Sequence, residues 1–309
     1  MFVDDDTDIV SAEDPDFLLD SIQQEANRSC DWLHDNRMCV AGQKSKLLII
    51  ATNKLRKNKL GTREMSIQVD GQTVTESQSE KLLGVVMNGN MTWKDHLYGE
   101  TWRNNNNSIG LLSQLSQRLG LLKRISKVAS KSKLRMLANG LFYSKLSYCL
   151  PLYANVWGLD RYRDGVVRCL SFTKEDNRRL QVLQNQVAKL LKNRKFKNNI
   201  STKELLKSTG DLSIHQTAAL RTINLVKKVL LTKKPAYLAK QFTLEKRCTR
   251  SKSYLSQDHG HLGLVKEGFV HKGKAIFNML PEILKQETNF NVFKVATRKW
   301  VQDNIEVKP

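Results

Sequence analysis

The hydrophobic spacing of this chain changes once, near Thr92, and that change constrains the fold more than any other feature. Before it, short apolar runs alternate with turn signals. Leu47-Leu48-Ile49-Ile50 and Met65-Ser66-Ile67-Gln68-Val69 read as strands, the second followed by the hairpin pair Asp70-Gly71. A further run, LLGVVM (82–87), ends in Asn88-Gly89, another turn pair. Asp16 to Trp32 reads as a helix with Phe17, Ile22 and Cys30 near one face. Beyond Thr92 the spacing is helical: Leu111, Leu112, Leu115, Leu119 and Leu122, then Leu134, Leu137 and Leu141. Leu180, Leu183, Val187, Leu190 and Leu191 make a later stripe, and Ile214 to Leu231 another. Thr92-Trp-Lys-Asp95 and Ser201-Thr-Lys-Glu204 have the form of capping boxes, and NNNN (104–107) reads as a loop. The expected class is α+β, with short antiparallel strands and a helix in front and helices behind.

Charge is as unevenly placed as hydrophobic period. The formal net charge is +21, yet residues 1–40 hold eleven acids against two bases, which leaves +30 on the remainder. An excess of that size exceeds what solubility asks for and suits a polyanion, nucleic acid ahead of a membrane surface. Five widely spaced cysteines without a CxxC pair exclude a disulfide framework or zinc ribbon and fit a reducing intracellular compartment, nucleus or cytoplasm alike. The acidic start is no signal peptide. Met136 to Leu159 is the least charged stretch, but Lys145, Pro151 and its amides mark it as buried helix and turn, not a membrane span. His259, His261 and Cys248 match no zinc spacing, and Cys30, His34 and Cys39 read as packing and surface residues.

Two clusters carry much of the positive charge. One is Lys123, Arg124, Lys127, Lys131, Lys133 and Arg135; the other is Lys189, Lys192, Arg194, Lys195 and Lys197 around Phe196, with Arg178 and Arg179 earlier on the same expected helix. Phosphate neutralisation with one stacking ring would use such groups. The plain alternative for each residue is a solvated face.

The first residues, MFVDDDTDIV, hold the chain's most concentrated acid. Asp4, Asp6 and Asp8 open like a calcium loop, but Ile9 stands where that loop needs Gly and Pro15 where it needs Glu. Phe2–Val3 and Ile9–Val10 instead flank the acids like the arms of a hairpin, the leading arm at most three residues long, so the hairpin is expected to belong to a larger sheet. Adjacent acids at such a tip can hold divalent ions for phosphoryl transfer. A solvated acidic turn is the alternative.

MFVDDDTD resembles the Y-x-D-D box of reverse transcriptases, and the resemblance continues in order along nearly the whole chain. DNRMCVAGQKSKLLIIAT (35–52) is similar to the next palm motif of the non-LTR, LINE-type retrotransposon enzymes, and SEKLLGVVMNGNMTWKDHL (79–97) to their primer-grip hairpin and thumb entrance. LFYSKLSYCLPLYANVWG (141–158) resembles a thumb segment of that group, and FNMLPEIL (277–284) with NVFKVATRKWV (291–301) resembles its tail. Phe2 replaces the usual Tyr, and Phe277 stands where Trp is common.

The resemblance implies the end of a palm over residues 1–91, a thumb-like helical region over 92–160 and a basic, mainly helical extension over 161–309. It assigns Asp4 and Asp5 to Mg2+, Lys44 (with Lys46 second) to protonating the leaving pyrophosphate, and Leu83 and Gly84 to the primer grip. The implied ligands are an RNA template and a DNA primer, and the implied activity is RNA-directed DNA synthesis. A palm also needs a third carboxylate from an upstream strand and a fingers region, for which the sequence before Asp4 leaves no room. The isolated chain is therefore expected to be inactive as a polymerase. The alternative is a non-catalytic basic nucleic-acid-binding protein derived from a decayed retroelement.

Overall fold

A computed structural model describes residues 6–61, 63–99, 109–154, 173–192, 200–243, 255–256 and 268–305. The chain divides into two compact units, Met1–Asp95 and His96–Pro309. The architecture is mixed α+β, with both strand pairs in the first unit.

In that unit, α1 spans Pro15–Asp35. Asp14 starts it by accepting from the backbone N–H of Asp16 and Phe17 at 3.1 and 3.0 Å, and Pro15 contributes a φ already suited to a first turn. Leu18, Leu19, Ile22, Ala26 and Cys30 face a core of Leu47, Ile49, Leu60, Met65, Ile67, Val69 and Val74. Phe17, expected on that face, is 65% exposed; the inward stripe recurs every fourth residue from Leu18, and a residue one position earlier is turned about 100° away from Leu18.

β1 (Ser66–Val69) pairs antiparallel with β2 (Gln72–Thr75). Asp70 and Gly71 make the tight turn with φ of 49° and 75°, the positive pair that a two-residue hairpin requires. The outer edge of β1 is closed by a side chain. Gln68 N–H donates to Gln23 Oε1 at 2.7 Å, and Gln23 Nε2 donates to Gln68 O at 2.8 Å.

β3 (Ser79–Leu82) and β4 (Val85–Asn88) form the second pair. The run 82–87 is thus not one strand: the turn lies inside it, at Leu83-Gly84, with φ of 47° and 84°. Leu47–Ile50 likewise forms no full strand. It makes one bridge to Glu76, and Ile49 O accepts from Arg56 Nη2 at 2.7 Å while Arg56 pairs with Glu76 at 2.7 Å. A guanidinium and single bonds satisfy that backbone in place of a ladder. Ile9–Val10 forms no strand either, and Ile9 is 87% exposed, so the trailing arm of the expected first hairpin is not present. At the Thr92 turn, Asn88 is the organiser: its Oδ1 accepts from Thr92 N–H at 2.8 Å, and its Nδ2 donates to Thr92 Oγ1 and Asp95 Oδ2 at 2.7 and 2.9 Å.

The second unit is helical among the described residues, apart from isolated bridging. α2 (Leu111–Ile125) buries Leu111, Leu115, Leu119 and Leu122, and α3 (Lys131–Leu137) buries Leu134. One wide turn follows, closed by Ser144 N–H on Asn139 O, with Phe142, Leu146, Leu150 and Tyr153 buried after it. α4 (Lys174–Leu191) opens on a reciprocal capping box between Thr173 and Asp176 that the apolar spacing does not show. Its inward face mixes Leu180, Val187 and Ala188 with the buried amides Asn177, Gln181 and Gln184; Leu183, Leu190 and Leu191 are only half-buried. The amides are used: Gln184 Nε2 donates to Leu212 O at 2.7 Å, and Gln181 Oε1 accepts from Ile214 N–H at 3.1 Å.

α5 (Thr202–Thr209) starts at Ser201 and ends at Gly210, whose φ of 71° stops the helix. α6 (Ile214–Thr232), opened by a Ser213–Gln216 box, is the central element. It packs against α7 (Phe269–Asn278) and α9 (Phe290–Asn304), and α8 (Glu282–Gln286) lies between them in sequence. No described helix is long and apolar enough to cross a membrane.

Candidate nucleic-acid interface

Two of the helices bring the first basic cluster together with Lys189 and Lys192 of the second at one end of the second unit. α2 packs on α4. Their starts are neighbours, because the Tyr98 hydroxyl donates to Asp176 and Gly99 bridges to Ile109. Their ends are neighbours too, because Lys123 Nζ donates to Gln186 Oε1 at 3.3 Å. The two helices therefore run in the same direction and finish together. Lys123 and Arg124 occupy the last turn of α2, and Lys189 lies in the last turn of α4, with Lys192 as its cap residue. Both positions also place cations against the negative end of a helix dipole.

Lys127, Lys131 and Lys133 follow on the connection to α3 and its first turn, and all three are exposed, as are Lys123, Arg124 and Lys192. The result is one basic pole built from two stretches of chain. Gln186 is the residue that spacing alone did not reveal. Its signal is positional: it sits three residues before Lys189, on a helix whose apolar face had already been identified.

Arg135, grouped with the pole by sequence, has a different task. Its guanidinium forks onto Asp211 at 2.9 and 2.5 Å, and the Tyr143 hydroxyl donates to the same carboxylate at 3.0 Å. Asp211 raises the pKa of Arg135, and burial first, then Asp211, pushes that of Tyr143 well above the usual phenol range. A guanidinium so committed is a fastener. Arg178 and Arg179 are also set aside. They hold Glu175 at 2.7 and 3.0 Å near the opposite end of α4, and their hydrogen bonds draw its pKa down to about 2.

The remaining expected site residues lie elsewhere. Lys44 is exposed, closing a short turn, Gly42–Lys44, that rests on β2. That seat requires Gly42, since a side-chain carbon there would stand 2.8 Å from Val69 O. Leu83 and Gly84 form the tip of the second hairpin, Leu83 half exposed. Asp4, Asp5, Arg194, Lys195, Lys197 and Phe196 lie outside the described residues, as do Cys248, His259 and His261. Among the described residues no group of three or more His, Cys, Asp or Glu could hold a metal ion.

No described protein family, curated protein or solved structure matches this chain.

Proposed function

We propose that the chain binds nucleic-acid backbone through this basic pole, as the palm end, thumb and basic extension of a LINE-type reverse transcriptase. The observation that carries the binding is the Lys123–Gln186 hydrogen bond, which sets the ends of two basic helices side by side. Helix-end lysines held on rigid elements neutralise phosphates without reading bases, as a template–primer grip must. In this reading the ligands are an RNA template and a DNA primer. In the intact enzyme Asp4 and Asp5 would supply two of the carboxylates that hold Mg2+, and that ion would lower the pKa of an attacking 3′-hydroxyl and shield the leaving pyrophosphate. Leu83-Gly84 would present a hairpin tip to the primer, and Lys44 would supply the proton.

A second reading, a basic binder without catalysis, draws on the same placement of the cationic groups, which needs no metal site. Incubating the chain with a labelled RNA–DNA template–primer, nucleotides and Mg2+ tests both. Extension that Asp5→Asn abolishes would support the polymerase and overturn the expected inactivity of the isolated chain. Binding without extension is what both readings expect; a preference for the RNA–DNA template–primer over single-stranded RNA then supports the polymerase part, equal affinity supports the binder, and no binding at low salt contradicts both.

A further inference from the structure

The basic pole does not stop at the ends of α2 and α4. Asn185, next to the Gln186 that holds Lys123, donates through Nδ2 to Thr202 Oγ1 at 2.9 Å. That bond seats the first turn of α5 against the pole. Lys203 and Lys207 follow at i, i+4 on α5, a spacing that puts them on one helix face, and both are exposed. At the far end of α5, Gly210 O accepts from Arg298 Nη2 of α9 at 2.7 Å. Lys294 stands one turn before Arg298 on the exposed side of α9. Three hydrogen bonds, Lys123–Gln186, Asn185–Thr202 and Arg298–Gly210, thus tie four elements into a sequence of bases. Glu204 is the acid exposed within α5 itself.

We infer that α5 and α9 continue the nucleic-acid path, with Lys203, Lys207, Arg298 and Lys294 contacting a polynucleotide backbone beyond the pole. The inference rests on the proposed binding function and extends it to a surface that neither basic run in the sequence marks, because these four bases are spread over 96 residues. A polynucleotide fits better than a lipid surface. The charges follow one another across separate elements, whereas a membrane-binding helix gathers them along one amphipathic face.

The test uses the full chain and a single-stranded RNA oligonucleotide, with Lys203→Gln/Lys207→Gln as the variant. Among the described residues neither lysine side chain makes a hydrogen bond or ion pair, so thermal melting should match the wild type. The slope of log affinity against log salt should become shallower by about 1.4, two contacts at roughly 0.7 each for a single strand. Lysine acetylation read by mass spectrometry should show Lys203, Lys207 and Lys294 protected by RNA. Lys233 and Lys234, at the other end of the 19-residue α6 and about 28 Å along it, should stay reactive.

An unchanged slope and unprotected Lys203 and Lys207, in a chain whose affinity does fall with Lys123→Gln/Lys127→Gln, would overturn this extension and leave the pole standing. Failure of the wild type to bind RNA at all would overturn the pole as well. Protection of the same lysines by anionic phospholipid vesicles but not by RNA would contradict the choice of ligand.

Discussion

Lys123 on α2 donates to Gln186 on α4 across a gap of 63 residues in sequence, and with that bond two basic helix ends become one surface. The bond is between an exposed ammonium and an amide, so it adds little to stability. Its consequence is placement. Gln186→Leu should leave the melting temperature within a few degrees of wild type while weakening RNA binding about two- to fivefold, since one misplaced phosphate contact costs well under 1.4 kcal/mol. Fluorescence anisotropy with labelled RNA, alongside a thermal melt, checks both halves.

Arg135 should behave in the opposite way. Asp211 is nearly buried, with 8% of its side chain exposed, and Arg135 is 36% exposed. Removing the guanidinium strands that carboxylate. Arg135→Ala is expected to cost about 2–3 kcal/mol, discounted from the fully buried case for the solvent on the arginine. Urea unfolding measures it, and RNA affinity of the folded fraction should be nearly unchanged.

The acid sensitivity of the second unit should come from His96. It packs against Tyr153 with the rings tilted by 50° and their centroids 4.9 Å apart, and burial, helped by Lys145, lowers its pKa from 6.5 to about 4. The folded state therefore resists a proton that the unfolded chain accepts. Stability is full above pH 6.5 and is lost as pH falls from about 6.5 to about 4, by at most about 3 kcal/mol. Denaturation curves at stepped pH should show that decline, and His96→Asn should flatten it.

In the first unit, Gln23 should act as an edge guard. Its amide gives and takes a hydrogen bond at Gln68, where β1 would otherwise offer an open edge to another chain. Gln23→Ala should cost about 1–2 kcal/mol by removing two bonds. It should also raise self-association, visible by light scattering.

Leu83 carries a φ of 47°, a conformation that costs an ordinary L-residue about 1–2 kcal/mol. Leu83→Asn should slow amide exchange across β3 and β4, because asparagine suits that turn. A leucine kept there at such a cost fits a tip whose side chain is used, as the primer-grip proposal holds.

How far the sequence could lead depended on the kind of interaction at each position. The Asp70-Gly71 turn and the stripe Leu111, Leu115, Leu119, Leu122 follow from local chemistry, and both are present. The Leu83-Gly84 turn was hidden because leucine is a poor residue for it, so an apolar run looked continuous. The Thr173–Asp176 box precedes a helix face of buried amides, and apolar periodicity is blind to such a face. Arg135 lies in a basic run, and only the fold brings Asp211 to it. The pole itself was legible as two separate clusters, but their union depends on a long-range helix pair.

The most direct test of the central claim is RNA affinity measured from about 50 mM to about 200 mM salt. Seven bases line the described pole: Lys123, Arg124, Lys127, Lys131, Lys133, Lys189 and Lys192. If most contact phosphates, affinity should fall roughly a hundredfold across that range, and less steeply once Lys123, Arg124 and Lys127 are changed to glutamine. An affinity that does not change with salt, or a triple variant that binds like the wild type, would contradict it.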